Sequence, residues 1–322
     1  MSAATLDAQY RALRDEVGWF PLARDVLALR GPDALDYLQG QCSQDVAALV
    51  DGGSVDALVL TPQGKVDALV RVTRRRGDEF VLDVQGGFGE ALRLRLERFK
   101  LRVKVDMETL PWRCIALRGA AVGDVAPSAG AGSASGDSVV LPVAWGDVAG
   151  VDLLGPAPVA PVGAVACSAA AWEPVRIEAG IPSMGAEIDD RTIPAEAGLV
   201  ERCVSFTKGC YTGQELVARL DARGSNVARR LCGLLVGEFE PGRSPAPLVG
   251  RALESDGTPS GVVTSAAWSP GRGAVVGLAF VHRRVPAGAT VSIAAPEEPD
   301  APDIAPAAGS GVTAEVRELP PG

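Results

Sequence analysis

The chain of 322 residues has one histidine, His282, and few lysines: Lys65, Lys100, Lys104 and Lys208. A lone imidazole excludes a multi-histidine zinc site and leaves any Ser-His-Asp relay dependent on that one residue. Aromatic residues make up 5% of the chain, so aliphatic side chains must fill the core. The cysteines, Cys42, Cys114, Cys167, Cys203, Cys210 and Cys232, include no Cys-x-x-Cys pair, which argues against a zinc ribbon and a disulfide framework. The opening MSAATLDAQYRALRDE is charged and lacks an apolar core, so no signal peptide is expected. One uncharged stretch, Leu153 to Trp172, has bilayer length but contains Pro156, Pro158 and Pro161, and reads as a linker running into a helix. The expectation is a soluble cytoplasmic protein. Positive charge is also in deficit, with 31 Lys and Arg against 40 Asp and Glu. A net charge of −9 weighs against holding nucleic acid by bulk charge and leaves a local basic patch open.

What is present suits a globular chain of two or three domains: 47% hydrophobic residues, 22% charged, and abundant turn formers in 38 glycines and 24 prolines. Val26 to Arg30 reads as a strand, followed by a short helix between Pro32 and a C-terminal stop at Gly40. The run SVDALVLTPQGKVDALVRVTRRRGDEFVLDVQ reads as three strands separated by PQGK and RRRGD. Phe88, Leu92, Leu96 and Phe99 have helical spacing, and LRVKVDM alternates like a half-exposed strand. Residues 119–137 have the composition of a flexible loop. SVVLPVAW and GVDLL read as a hairpin through Gly146-Asp147, and 107–165 as a smaller unit. A short helix is expected over Glu173–Ala179, then a long loop whose length suggests function. From about Asn226 short apolar runs broken by Gly and Pro predict a small antiparallel barrel or sandwich. A Pro-rich insert at 295–310 precedes a last barrel strand in VTAEVREL. The fold class is α+β.

The sharpest motif is Lys208-Gly209-Cys210-Tyr211-Thr212-Gly213-Gln214-Glu215. Thr212 and Glu215 have capping-box spacing before the helical run ELVARLDARG, which puts Cys210 just outside a helix N-terminus beside Lys208, where a thiolate is favoured. The turn reads either as a reactive or ligand-contacting cysteine or as a structural turn holding a small buried one.

KGCYTGQE, with RIEAGIP and IPAEAGL before it, resembles the YgfZ family, which is related to the tetrahydrofolate-dependent glycine cleavage T-protein. The resemblance runs from GPDALDYLQGQCSQDV to AEVRELP. It implies a T-protein-like three-domain arrangement around a central channel with a C-terminal antiparallel β-barrel. The divisions expected are 1–106 with 166–225 (a discontinuous folate-binding domain), 107–165 (an inserted α+β domain) and 226–322 (the barrel). It further implies a tetrahydrofolate or folate-derivative ligand, iron–sulfur client or assembly proteins as partners, a link to tRNA modification, and Cys210 as the reactive residue facing the channel. Lys208, Gly209, Tyr211, Gly213, Gln214 and Glu215 match the rest of the motif as binding residues. Glu178 in RIEAG matches the carboxylate that meets the pterin's paired N–H donors. The T-protein's catalytic aspartate aligns at or next to Ala68, with Asp67 beside it, so aminomethyl transfer is an alternative to an accessory role. A third reading is an RNA- or protein-binding module using the basic stretch Arg93, Arg95, Arg98, Lys100, Arg102 and Lys104. Asp189-Asp190, His282 and Arg74-Arg75-Arg76 read as solvated or structural, and the remaining cysteines and the tryptophans as packing.

Overall fold

The computed structural model describes residues 3–125, 138–224, 226–239, 242–294 and 312–320. The Pro-rich insert 295–310 and residues 126–137 of the small-residue loop lie outside them. The chain opens with α1 (Ala3–Asp15), β1 (Gly18–Leu22), β2 (Arg24–Arg30) and α2 (Ala34–Gln41). Then come β3 (Ser54–Leu60), β4 (Val66–Arg74), β5 (Glu79–Gln85), α3 (Gly89–Phe99), β6 (Asp106–Leu110) and β7 (Arg113–Arg118). After the short α4 (Val122–Val125) follow β8 (Val139–Trp145), β9 (Val148–Gly155), β10 (Val165–Ala166), α5 (Ala169–Glu178), α6 (Val200–Cys203) and α7 (Gln214–Asp221). The last strands are β11 (Arg229–Val236), β12 (Ala252–Ser255), β13 (Thr258–Ser269), β14 (Ala274–His282), β15 (Thr290–Ile293) and β16 (Thr313–Arg317).

These strands build three bodies. The first sheet runs β3-β4-β5-β2-β6, and the second runs β10-β1-β7-β9-β8, so the second takes β1 from outside 107–165 and β10 straddles the end of that stretch. β11-β14-β13-β12-β15-β16 closes into a six-stranded antiparallel barrel, with the VTAEVREL strand pairing β11 and β15 to seal it. Closure removes the exposed edges that short strands would otherwise carry.

Alternation decides what each face of the first sheet meets. Ala68, Val70 and Val72 of β4 join Leu92 and Leu96 of α3 in the main core, which continues into the barrel through Leu278 and Phe280. On the opposite face Val26 and Val81 meet Cys114, Leu141 and Leu154 of the second sheet. Helices α1 and α5 cover the second sheet through Tyr10, Leu13, Phe20, Ala171 and Val175. α5 also packs on β13 and β14, so one helix touches both a sheet and the barrel.

Several local expectations shift. LRVKVDM is not a strand: residues 101–105 fold back on α2, where Lys104 N–H donates to the Asp33 carboxylate at 2.7 Å, and pairing starts at Asp106. Gly40 lies inside α2, which ends at Gln41 with Cys42 as its C-cap. α5 begins at Ala169, four residues before the expected helix, because Ser168 Oγ caps it by accepting from Ala171 N–H at 3.3 Å. Pro174 is therefore an interior residue. Among the described residues no helix is long and apolar enough to cross a membrane.

Candidate functional site

A cavity of about 600 Å³ lies between the two sheets and is closed on one side by α5 and the segment 181–184. Its floor follows from strand register. Asp56 pairs opposite Arg71, and Arg71 opposite Asp83, so the three form one row across β3, β4 and β5 on the same face. Arg71 Nε and Nη2 donate to the two Asp83 oxygens at 3.0 Å each, and Nη1 donates to Asp152 Oδ2 at 2.8 Å. Arg24 Nε adds a second cation to Asp83 at 2.5 Å, and Arg118 pairs with Asp152 at 2.8 Å. The chain Arg24–Asp83–Arg71–Asp152–Arg118 thus alternates in sign and ties the two sheets together. Burial pushes the Asp152 carboxyl up, but Arg118 and Arg71 outweigh it and hold it at about 2. Burial disfavours the Arg71 cation, and Asp83 and Asp152 reverse that, so it stays charged.

The walls add aromatic surface and a second ion pair. Phe20 and Trp172 stack with ring centroids 5.1 Å apart. Arg202, from α6, donates from Nε to Asp56 Oδ2 at 2.7 Å and lies 4.2 Å from the centroid of the Trp145 ring. Arg176 is fully engaged, binding Glu173 through Nε and Nη2, and Ile181 O and Glu187 through Nη1. Gln85 fastens the 181–184 segment, accepting from Ser183 Oγ at 3.0 Å and Met184 N–H at 2.9 Å.

The KGCYTGQE turn lies elsewhere; none of its residues lines the cavity. Lys208 Nζ donates to the carbonyls of Gln39, Cys42 and Gln44 at 2.8, 2.7 and 2.8 Å, satisfying oxygens at and beyond the C-terminus of α2. Burial lowers its pKa. Gly213 and Gly64 of PQGK both have positive φ and pack backbone to backbone: a Cβ on Gly213 would sit 2.4 Å from Thr61 O, and one on Gly64 2.6 Å from Leu216 Cβ. The expected capping box does not form. Gly213 occupies the N-cap of α7 with no side-chain cap, and Thr212 Oγ1 turns to Gly40 O. Gln214 accepts from Tyr211 N–H instead, and Glu215 pairs with Arg219 on the exposed face. Tyr211 is half-buried, its phenol pushed up to about 12 by burial. Gly209 and Cys210 are exposed, so Cys210 faces outward and not into the cavity.

Glu178 also points away from the cavity. Its Oε2 accepts from Tyr10 Oη at 2.9 Å, and its Oε1 accepts a short bond from Ser269 Oγ of β13. Burial and this carboxylate push Tyr10 up to about 12. Glu178 therefore joins α1, α5 and the barrel. Four residues earlier on the same face of β13, Ser265 Oγ accepts from Arg176 Nη2 and donates to Glu187.

Asp67 falls in a bulge where β3 and β4 lose register, and Arg95 of α3 takes its carboxylate at 2.9 Å. Ala68 is buried in the core. Neither lines the cavity. The basic stretch is partly neutralised from within, because Arg93 binds Glu90 and Glu97, and Arg95 binds Asp67. Asp189 caps its own turn through Arg191 N–H and Thr192, and among the described residues no cluster could hold a metal ion. His282 Nδ1 accepts from Arg284 N–H at the end of β14. Arg75 lies over Trp112. Cys42, Cys114, Cys203 and Cys232 are buried as expected, whereas Cys167 is only half-buried.

Residues that motif reading passed over line the cavity, Asp56, Arg71, Asp152 and Arg202, with Asp83 buried behind Arg71. The available signal was charge inside otherwise apolar strand patterns, as in VDALV and LVRVT, where an internal Asp or Arg interrupts the alternation.

Residues 229–302 match the family of the glycine cleavage T-protein C-terminal barrel domain. An aminomethyltransferase of Rubrobacter xylanophilus is 27% identical over 322 residues, which covers 90% of this chain and 82% of that protein. An uncharacterized Haemophilus influenzae protein is 27% identical over 248 residues, 75% of this chain and 81% of that one. The crystal structure of glycine cleavage system aminomethyltransferase T from Bartonella henselae superposes with a TM-score of 0.79, covering 98% of this chain and 89% of that one at 20% identity. The fold is thus that of an aminomethyltransferase T-protein, with its closed C-terminal barrel.

Proposed function

We propose that this protein binds a reduced folate in the cavity between its two sheets and serves a partner through the exposed Cys210, in the assembly or repair of iron–sulfur clusters. The observation that carries the folate half is the cavity itself. Its volume of about 600 Å³ falls within the range of small-molecule sites. Phe20 and Trp172 give an aromatic wall for a flat ring, and Arg24 keeps Nη1 without a partner among the described residues, which suits a carboxylate of a glutamate tail. A folate bound here would be oriented by these groups, and its one-carbon chemistry would be its own.

An accessory role is favoured over aminomethyl transfer by one comparison. The T-protein's catalytic aspartate aligns at or next to Ala68; Ala68 is buried, and the neighbouring Asp67 is held by Arg95. The partner role rests on the resemblance of the KGCYTGQE motif and on the exposure of Cys210. A single thiolate does not hold a cluster, which takes about four, so any cluster contact is shared with the partner.

The test pairs two measurements. Calorimetric titration with tetrahydrofolate should give saturable binding in the wild type and in Cys210→Ser alike, while Cys210→Ser should abolish support of an iron–sulfur client enzyme in cells lacking the wild-type protein. Retained support with Cys210→Ser would remove the thiol from the function. Formation of methylene-tetrahydrofolate from an aminomethyl donor would return the transferase reading.

A further inference from the structure

We infer that an arginine-rich surface at one end of the barrel, beside α7, docks a partner protein that presents an acidic helix with an apolar stripe. This rests on the partner role proposed for Cys210 and adds where that partner sits and what it carries.

Strand register builds the surface from two segments far apart in the chain. Arg229, the first residue of β11, pairs with His282, the last of β14. Arg283 N–H then donates to Ala228 O at 3.0 Å, and Arg283 Nη1 donates to Asn226 Oδ1. Segments 222–230 and 282–285 hold Arg223, Arg229, Arg230, Arg283 and Arg284 and no Asp or Glu. Arg229 has a carboxylate partner, Glu196 at 3.0 Å. The others do not. Arg230 donates to Val285 O at 3.1 Å, Arg284 to Pro259 O at 2.6 Å and Arg283 to an amide, so their acceptors are neutral. The Arg223 side chain has no partner among the described residues, and Arg223, Arg283 and Arg284 are exposed. The nearest acid along the chain is Asp221, the last residue of α7. Positive charge is thus concentrated here on a chain whose net charge is −9.

The apolar neighbours favour a protein over a nucleic acid. A shallow cleft between α7 and the segment 194–200 is lined by Pro194, Val200, Leu216 and Leu220, with Asp221 beside them. Leu231 N–H donates to Glu196 O at 2.7 Å and Arg229 holds the Glu196 side chain, so the segment that lines the cleft runs directly into the arginines. Phe206, on the loop leading to Cys210, is 50% exposed. Single-stranded nucleic acid would use exposed rings beside the cations for stacking, but Phe280, which Arg229 covers at 4.5 Å, is buried. A helix with leucines one turn apart would lay them in the cleft and set its flanking carboxylates on the guanidinium forks. The eight residues of α7 span about 12 Å, so the arginines near its C-terminal end and Cys210 before its N-terminal end fit within one interface of standard size, about 800 Å² per partner.

Fluorescence anisotropy compares a labelled amphipathic peptide of Glu and Leu with its Gln and Leu counterpart, on the wild type and on the triple variant Arg223→Gln, Arg283→Gln, Arg284→Gln. The wild type should bind the Glu peptide about tenfold or more tighter at low salt, and the triple variant should reduce that preference below about threefold, with tetrahydrofolate affinity and melting temperature unchanged. Leu220→Ala should weaken both peptides by about threefold or more, and equal binding would overturn the cleft as the seat. In cells the triple variant should lose support of the iron–sulfur client, as Cys210→Ser does. If the triple variant melts early, replacing the same three arginines by Lys, which keeps the charge, should restore both preference and support. An undiminished preference in the triple variant, or full support of the client by it, overturns the inference and leaves the role of Cys210 standing. Retained support in Cys210→Ser overturns that role instead, since peptide binding does not need the thiol. A transfer RNA bound more tightly than the Glu peptide, with the same dependence on the arginines, overturns the protein partner in favour of a nucleic acid.

Discussion

Asp152 shows how the cavity floor links ligand binding to stability. Its carboxyl ordinarily titrates near 3.8 and is held at about 2 by Arg118 and Arg71 against the opposing effect of burial. A depressed carboxylate contributes stability that is complete above the unfolded value and is lost as pH falls through the folded one. That share, about 2 kcal/mol, should therefore disappear between about pH 4 and pH 2. Asp152→Asn should flatten this part of the acid-unfolding profile and cost about 3–5 kcal/mol at neutral pH, because Arg118 and Arg71 then share one buried carboxylate fewer. An unchanged acid limb would show that Asp152 is not depressed. Lys208 is a second residue whose role its motif did not announce. Lys208→Met removes three hydrogen bonds to carbonyls of the α2 end and should destabilise by about 2–3 kcal/mol in denaturant unfolding, with tetrahydrofolate affinity unchanged. The sequence marked Lys208 and Glu178 as special without showing what they touch, since their hydrogen-bond partners are 91 or more residues away in the chain. Asp56 and Arg202, 146 residues apart, carried no motif at all.

Among the elements, α5 has the widest reach. Trp172, Glu173 and Arg176 face the cavity, while Glu178 and Arg176 hold serines of β13, so the barrel sets the position of one cavity wall. Tyr10→Phe removes a donor from Glu178 and should cost about 1–2 kcal/mol. Its alkaline signature is separate. A phenol raised to about 12 stabilises below its ordinary value of 10 and loses that share as pH rises through 12, so the decline in stability over this range should be smaller in Tyr10→Phe. At the other motif, Gly213→Ala meets both a positive φ of 82° and the Thr61 carbonyl, and should lower stability by about 1–3 kcal/mol, read as an earlier thermal transition. Element types were largely legible from periodicity: the three strands around PQGK and RRRGD, the helix after Phe88, and the hairpin at Gly146-Asp147. Boundaries failed where a side chain far along the chain decided them, as Asp33 did for residues 101–105. The Thr212 cap failed because the packing of Gly213 against Gly64 puts a left-handed glycine at the cap position.

For the molecule as a whole, the closed barrel and the α+β class were readable from short apolar runs spaced by turns. The way the two sheets share strands was not, because β1 and β10 reach the second sheet only in three dimensions. The same shared architecture places the cavity where both sheets and α5 meet, so its occupant should stabilise the fold as a unit. A ligand at 100 times its dissociation constant adds about 2.7 kcal/mol, visible as a single transition shifted upward. The most direct measurement is calorimetric titration of the wild-type protein with tetrahydrofolate, repeated on Trp172→Ala, which strips the aromatic wall. A folate site between the sheets predicts saturable one-to-one binding, weakened about tenfold or more in Trp172→Ala. No heat of binding at millimolar tetrahydrofolate, or equal affinity in the two proteins, would contradict it.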